Sequence, residues 1–258
     1  MKEIKNIILT IATFILFVSC SRSIEDIGDK LVKGSIGLDF NQTRAGGVWI
    51  DKAPTRYVVG VYNATTKQLI SQNIYANGHN ISILLPIGTY DFCFWADCGA
   101  YDIGDLSNIT LDVMNSKVEE RVAFSKLVKG YVVDDNFSIN ELLSRTVARI
   151  NIINKSDVAS LSNNTVTLEY TGVAQSYNLL LDLPSASSCS YKSTTTYLYS
   201  TTADTPFVYD YLFAPLSTDK IGLIFKIEDE HSTTVVCERV TNLTIKQNNV
   251  TNIYKELQ

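Results

Sequence analysis

Histidine is almost missing from this chain of 258 residues, which has only His79 and His231. Each falls in a turn signal, His79 in Asn77-Gly78-His79-Asn80 and His231 after Glu228-Asp229-Glu230. So placed, they give no Ser-His-Asp arrangement, and no G-x-S-x-G elbow accompanies them. A glycine-rich phosphate loop is also missing. Basic runs are absent: 22 Lys and Arg face 27 Asp and Glu, a net charge of −5. Without Lys and Arg clusters to displace counterions from phosphate, sequence-independent nucleic-acid binding is excluded. Proline is scarce, with 5 residues, while Ser, Thr, Asn and Tyr are abundant, the composition of a β-rich extracellular protein.

Cysteine is sparse too. Besides Cys20 there are Cys93, Cys98, Cys189 and Cys237, and four cysteines allow three pairings that sequence cannot choose between. Cys93 and Cys98 point to opposite faces of one strand, which disfavours a direct bridge, and unpaired thiols are the alternative. A lone C-x4-C is a poor zinc signature. The carboxylates Asp134-Asp135 and Glu228-Asp229-Glu230 lack the ligand spacing and glycine bend of a calcium loop. No catalytic, metal or cofactor site is therefore expected, and the chain reads as a non-enzyme.

What is present is a globular composition, 45% hydrophobic and 19% charged, long enough for one large core or two ordinary ones. Met1–Cys20 opens with Lys2 and Lys5 and continues with an apolar run, Ile7–Val18, of signal-peptide length. That run is too short for a comfortable membrane span, which needs ~20 apolar residues. It ends in Phe17-Val18-Ser19-Cys20, which resembles a bacterial lipobox with Phe17 in place of the usual Leu. The expectation is a signal peptide over 1–19 and a lipid on Cys20, against an ordinary signal peptide with a chance cysteine. Residues 20–33 form a polar tether carrying Glu25, Asp26 and Asp29.

Beyond the tether, alternation dominates, and side chains two apart share a strand face. Strands are predicted at Gly34–Asn41, Arg56–Tyr62, Lys67–Asn73, Asn80–Leu85, Thr89–Asp97 and around Ile109–Val113. In Lys117–Gly130, Val118, Val122, Phe124 and Leu127 form a loose helical stripe. Asp134–Ser144 reads as a polar linker. Ser144–Ile153 is then a half-buried strand with a basic outer edge and begins the second half. More strands follow around Val166–Tyr170, Ser176–Leu183, Phe207–Phe213, Ile221–Ile227, Val235–Val240, Asn242–Ile245 and the terminal N-N-V-T-N-I-Y. Ser185–Asp204 is read as an exposed loop with a ragged hairpin. Thirteen to fifteen such strands imply antiparallel sandwiches, since a half-buried sheet needs a second layer. Two domains are expected, 34–143 and 144–258; the alternative is one large sandwich.

Several motifs carry a resemblance. They are the lipobox, Q-T-R-A-G after the first strand, F-C-F-W-A-D at 92–97 and S-R-T-V-A-R-I-N at 144–151. F-V-Y-D-Y-L-F-A at 207–214 and the terminal N-N-V-T-N-I-Y complete the set. Together they resemble the fimbrillin-like surface lipoproteins of Bacteroidetes, nearest a fimbrillin-related domain of unknown function. Thr146 stands where that family has Pro, and Tyr254–Leu257 lacks its glycine. The resemblance implies two tandem transthyretin-like antiparallel β-sandwiches behind a lipoprotein signal. It also implies lipid anchoring in the outer membrane and other fimbrial subunits as partners. Cleavage after an arginine would release the first strand and let a neighbour's strand replace it; Arg44 is the matching residue, the alternative being a plain surface arginine. The rival function is a glycan-binding lipoprotein of a polysaccharide-uptake system, with Trp49, Trp95, Tyr101 and Tyr209 as an exposed stacking platform.

Overall fold

The computed structural model describes residues 30–40, 52–155, 164–197, 206–216 and 219–256. Cys20, Arg44 and Trp49 lie outside them.

The first half of the chain supplies nine strands. They are β1 (Leu31–Phe40), β2 (Arg56–Asn63), β3 (Leu69–Tyr75), β4 (Ile81–Pro86), β5 (Gly88–Asp97), β6 (Tyr101–Asp102), β7 (Ile109–Leu111), β8 (Ala123–Val133) and β9 (Phe137–Arg145). The second supplies nine more: β10 (Ala148–Asn154), β11 (Asn164–Ala174), β12 (Ser176–Asn178), β13 (Leu183–Pro184), β14 (Ser188–Tyr197), β15 (Pro206–Leu212), β16 (Ile221–Glu228), β17 (Thr234–Leu243) and β18 (Val250–Lys255). One 3-10 turn, Val118–Glu120, is the sole helical element among the described residues. None of these elements is a helix able to cross a membrane. The chain is all-β.

In the first half a seven-stranded sheet runs β3-β2-β5-β8-β9-β1-β4. Its two parts meet only where Phe124 and Ser125 of β8 face Arg145 and Ser144 of β9. Folded at that seam, both parts turn apolar side chains onto one core that includes Ile36, Leu38, Val59, Phe92, Phe94 and Leu143. The second half stacks β15-β10-β18 on β14-β11-β16-β17 around Ile150, Ile152, Leu168, Leu223 and Phe225.

A small sheet, β13-β12-β7-β6, joins the halves, with Tyr177 of β12 opposite Ile109 of β7. Gly60 permits this joint: a Cβ there would lie 2.6 Å from Leu106, which caps the outer face of β2 and β5. That cap explains why β5 is buried on both faces along most of its length. Phe213 packs on Trp95, Tyr101 and Tyr177, with ring centroids 5.6–6.5 Å apart. Beside them Arg121, at the end of the 3-10 turn, meets Asp210 of β15 at 2.9 Å, with both side chains buried.

Five expectations need correcting. The helix over 117–130 is instead a 3-10 turn followed by β8. Ala123, Phe124 and Ser125 at the start of β8 are all buried, so no alternation shows there, and a register shift opposite Tyr90/Phe92, with Gly130 at φ +64, slips the phase further on. The linker at 134–144 is largely β9, whose polar Ser138 and Asn140 sit on its exposed face while Ile139 and Leu143 enter the core. The single strand over 144–153 is broken at Thr146-Val147, and β10 has no basic outer edge. Flanked by β15 and β18, it buries every side chain, Arg149 included at 3% exposure. Finally, the loop at 185–204 contains β14, whose serines and threonines pair with β11, and Asn242 lies within one continuous β17.

Candidate functional site

Among the described residues, β1 is the element that stands out by its setting. It lies inside its sheet, antiparallel to β4 on one side and parallel to β9 on the other. Its alternation is strict: Val32, Ile36 and Leu38 are at most 2% exposed, while Leu31, Lys33, Ser35 and Asp39 face outward. Two glycines fit it to β9. A Cβ on Gly34 would lie 2.2 Å from Cζ of Phe137, and one on Gly37 would lie 2.5 Å from Oδ1 of Asn140. The ring of Phe137 therefore rests on the bare backbone of β1. Further bonds fix the strand, from Lys33 N–H to Asn136 Oδ1 and from Leu38 N–H to the Gly78 carbonyl.

Without β1 a groove would open between β9 and β4. Among the described residues β4 has β1 as its only strand partner, so the loss would leave two rows of backbone groups unpaired. Re-exposing Val32, Ile36 and Leu38 would cost roughly 5–9 kcal/mol, at 1.5–3 per side chain. That is comparable to the whole stability of a typical domain. The first half thus requires a strand in this groove, although nothing in the geometry demands that it be the chain's own.

The other candidate residues are scattered. Trp95 is fully buried and donates from Nε1 to Asp97 Oδ2 at 2.6 Å; that carboxylate also takes a two-pronged bond from Arg56. Tyr101 is buried, its hydroxyl donating to the Arg121 carbonyl. Tyr209 is half-buried, with the Arg149 guanidinium 4.1 Å above its ring. The expected stacking platform is therefore not formed by Trp95 and Tyr101, because both fill the joint between the halves. His79 stands beside Asp39 at 3.7 Å and His231 beside Glu230 at 3.6 Å, both exposed. Among the described residues no group of His, Cys, Asp and Glu is arranged to hold a metal. All four described cysteines are free. Burial, with Asp91 nearby, pushes the Cys93 thiol up to about 12, so it stays protonated and inert.

The Arg121–Asp210 pair is not among the residues singled out from the sequence. Burial pushes the Asp210 carboxyl up, against the opposing pull of Arg121. Arg121 also bonds Ser193 Oγ and the Val113 and Ser116 carbonyls, so its guanidinium ties together three segments. An acidic residue in the aromatic run at 207–214 was the one available hint.

The overall fold is shared with solved proteins of the Bacteroidetes. A candidate cell adhesion protein of Parabacteroides distasonis superposes with a TM-score of 0.52 at 13% identity, covering 87% of this chain and 88% of that one. A protein of Bacteroides thetaiotaomicron described as a candidate polysaccharide-binding protein gives 0.53 at 10% identity, covering 87% and 92%. A candidate adhesin of the same species gives 0.52 at 9%, covering 88% and 92%. At such identities the likeness is one of fold. No curated protein sequence matches the chain. A sequence model of a family of unknown function, DUF6562, matches residues 32–257, and the chain belongs to that family.

Proposed function

We propose that this chain is a non-enzymatic surface subunit, lipidated at Cys20 and carried to the outer membrane. It serves there as a fimbrial component or adhesin, and its partners are further subunits that dock by strand complementation. The observation that carries this reading is the seating of β1. It is bonded on both sides, fills the core with alternate residues, and lies between a tether and Arg44, which follows Phe40 by four positions. A strand so placed can be freed by one cut after Arg44, and an open groove with unpaired N–H and C=O groups takes an added strand. The fold-level likeness to candidate adhesins supports the same reading.

Intact mass of the native protein recovered from cell-envelope fractions is the test. A chain beginning at Ala45, bound to a second copy, is the expected result. A lipid-modified, unbroken chain in monomeric form would overturn strand exchange and leave a retained surface lipoprotein. A chain starting at Cys20 without lipid would overturn the anchoring.

A further inference from the structure

The geometry points to a binding site for an acidic sugar on the outer face of the β14-β11-β16-β17 sheet, far in sequence from the β1 groove and independent of strand exchange. Ladder register places two rows of side chains across this face. One row runs Lys192, Glu169, Ile224, Arg239; the next contains Ser190, Thr171 and Gly222, with Thr241 at its end. Between them lies a trough of about 450 Å³. Its floor is the bare backbone of Gly222 and the half-exposed side chain of Ile224. Two irregularities shape it at the same level. β11 shifts register between Thr171 and Val173, with Gly172 at φ +78, and β16 shifts against β17 between Ile221 and Leu223. Bulges bend and twist a sheet locally, and here two adjacent strands carry one beside the same glycine.

Charge completes the argument. Lys192 is already paired with Glu169 at 3.8 Å and Lys226 with Glu228 at 2.6 Å. No carboxylate lies within ion-pair distance of Arg239 among the described residues, so its guanidinium is open to an anion from outside. A peptide strand is a poor occupant, because peptides add to sheet edges and the backbone groups under this face are consumed by the ladders. A face offers only side chains, here three hydroxyls, a carboxylate, a guanidinium and a small apolar floor. A uronic acid matches that set. Its carboxylate takes the fork of Arg239, its ring rests on Gly222 and Ile224, and its hydroxyls meet Thr171, Ser190 and Glu169.

The test is titration of the folded chain with an oligogalacturonate tetramer, followed by NMR or calorimetry. Cellotetraose serves as the neutral probe and hexaglutamate as the acidic peptide. Binding of the uronate tighter than about 1 mM is expected. Arg239→Gln, at an exposed position, should weaken it about tenfold or more, the loss of one charge-assisted bond, while leaving cellotetraose unchanged. Gly222→Val, whose Cβ would meet Thr171 Oγ1 at 2.5 Å, should abolish it at an unchanged thermal midpoint. No uronate binding at 10-fold higher concentration, an Arg239→Gln variant that binds as the wild type does, or hexaglutamate binding equally well would each overturn the site. None of these results bears on the β1 groove.

Discussion

Adding one methyl group at Gly34 tests how closely the groove is fitted to β1. Alanine in place of a strand glycine gains about 0.5–1 kcal/mol, because the unfolded chain loses less freedom on folding. At Gly34 that gain opposes a collision, since the new Cβ would sit 2.2 Å from Cζ and 2.5 Å from Cε2 of Phe137. The ring cannot simply swing clear. Phe92 and Tyr131 hold it at centroid distances of 5.9 and 5.6 Å. Crowding a packed ring costs about 1–3 kcal/mol, so crowding wins and Gly34→Ala should lose about 1–2 kcal/mol net. Gly37→Ala is the internal control. Its Cβ meets the far end of the exposed Asn140, which can turn into solvent, so the intrinsic gain should survive. Urea unfolding followed by the fluorescence of buried Trp95 reports both. Pairing Gly34→Ala with Phe137→Leu should recover at least about 0.5 kcal/mol through their coupling. Equal effects of the two alanines, or strict additivity with Phe137→Leu, would refute the claim that β1 is selected by its bare backbone.

Two further perturbations probe the joint between the halves. Arg121→Met strands the Asp210 carboxylate in the core and should cost about 3–5 kcal/mol in urea unfolding, whereas Arg121→Met with Asp210→Leu should regain most of that. A double variant no better than the sum of the singles would remove the pair from the joint. Asp105 titrates below its ordinary 3.8: burial raises it, but the Ser107 N–H and the Tyr62 hydroxyl, bonded at 2.8 Å, pull it lower. Its contribution is present above pH 3.8 and lost as pH falls through the depressed folded value. Asp105→Asn should therefore cost about 1 kcal/mol at pH 7 and progressively less below pH 3.8, and a cost independent of pH would contradict this.

The all-β class and many strand positions were legible because alternation is a local property. In β1, β4 and β16 one face is buried and one exposed, and the pattern can be read directly. Reading failed where burial is two-sided or phase slips. β10 buries all seven side chains, so its Arg149 and Asn151 looked like an outer edge, although Arg149 Nε donates to Asn151 Oδ1 within the core. β8 lost its period at Gly130, and β14 looked like a loop because hydroxyl-rich composition outweighed a pairing set by β11, about twenty residues away. Which aromatics pack in the core and which stay free for stacking could not be read locally for a related reason. Trp95 and Tyr101 look available in sequence, but the covering of β5 by the 98–113 segment depends on Gly60, and no local pattern announces that. The trough around Gly222 was equally hidden, since it joins four strands through register alone.

The parallel pairings bear on the proposal that β1 is the strand exchanged. Among the described residues two strands run parallel to a neighbour, β1 beside β9 and β18 beside β10. Hairpins cannot make parallel pairs, so each must be recruited across the length of its own half. A bond from Lys33 to Asn136 spans 103 positions, and one from Asn151 to Asn252 spans 101. Contacts of that separation cost more loop-closure entropy than hairpin pairs such as β2–β3. β18 occupies a sheet edge with Tyr254 exposed, and its loss would uncover one side of β10. β1 sits between two partners, so its loss creates a slot of defined register with Phe137 waiting over the position of Gly34. Of these two strands, only β1 lies between two partners, so under the proposed exchange its replacement must be small at that position, apolar at every second one, and parallel to β9.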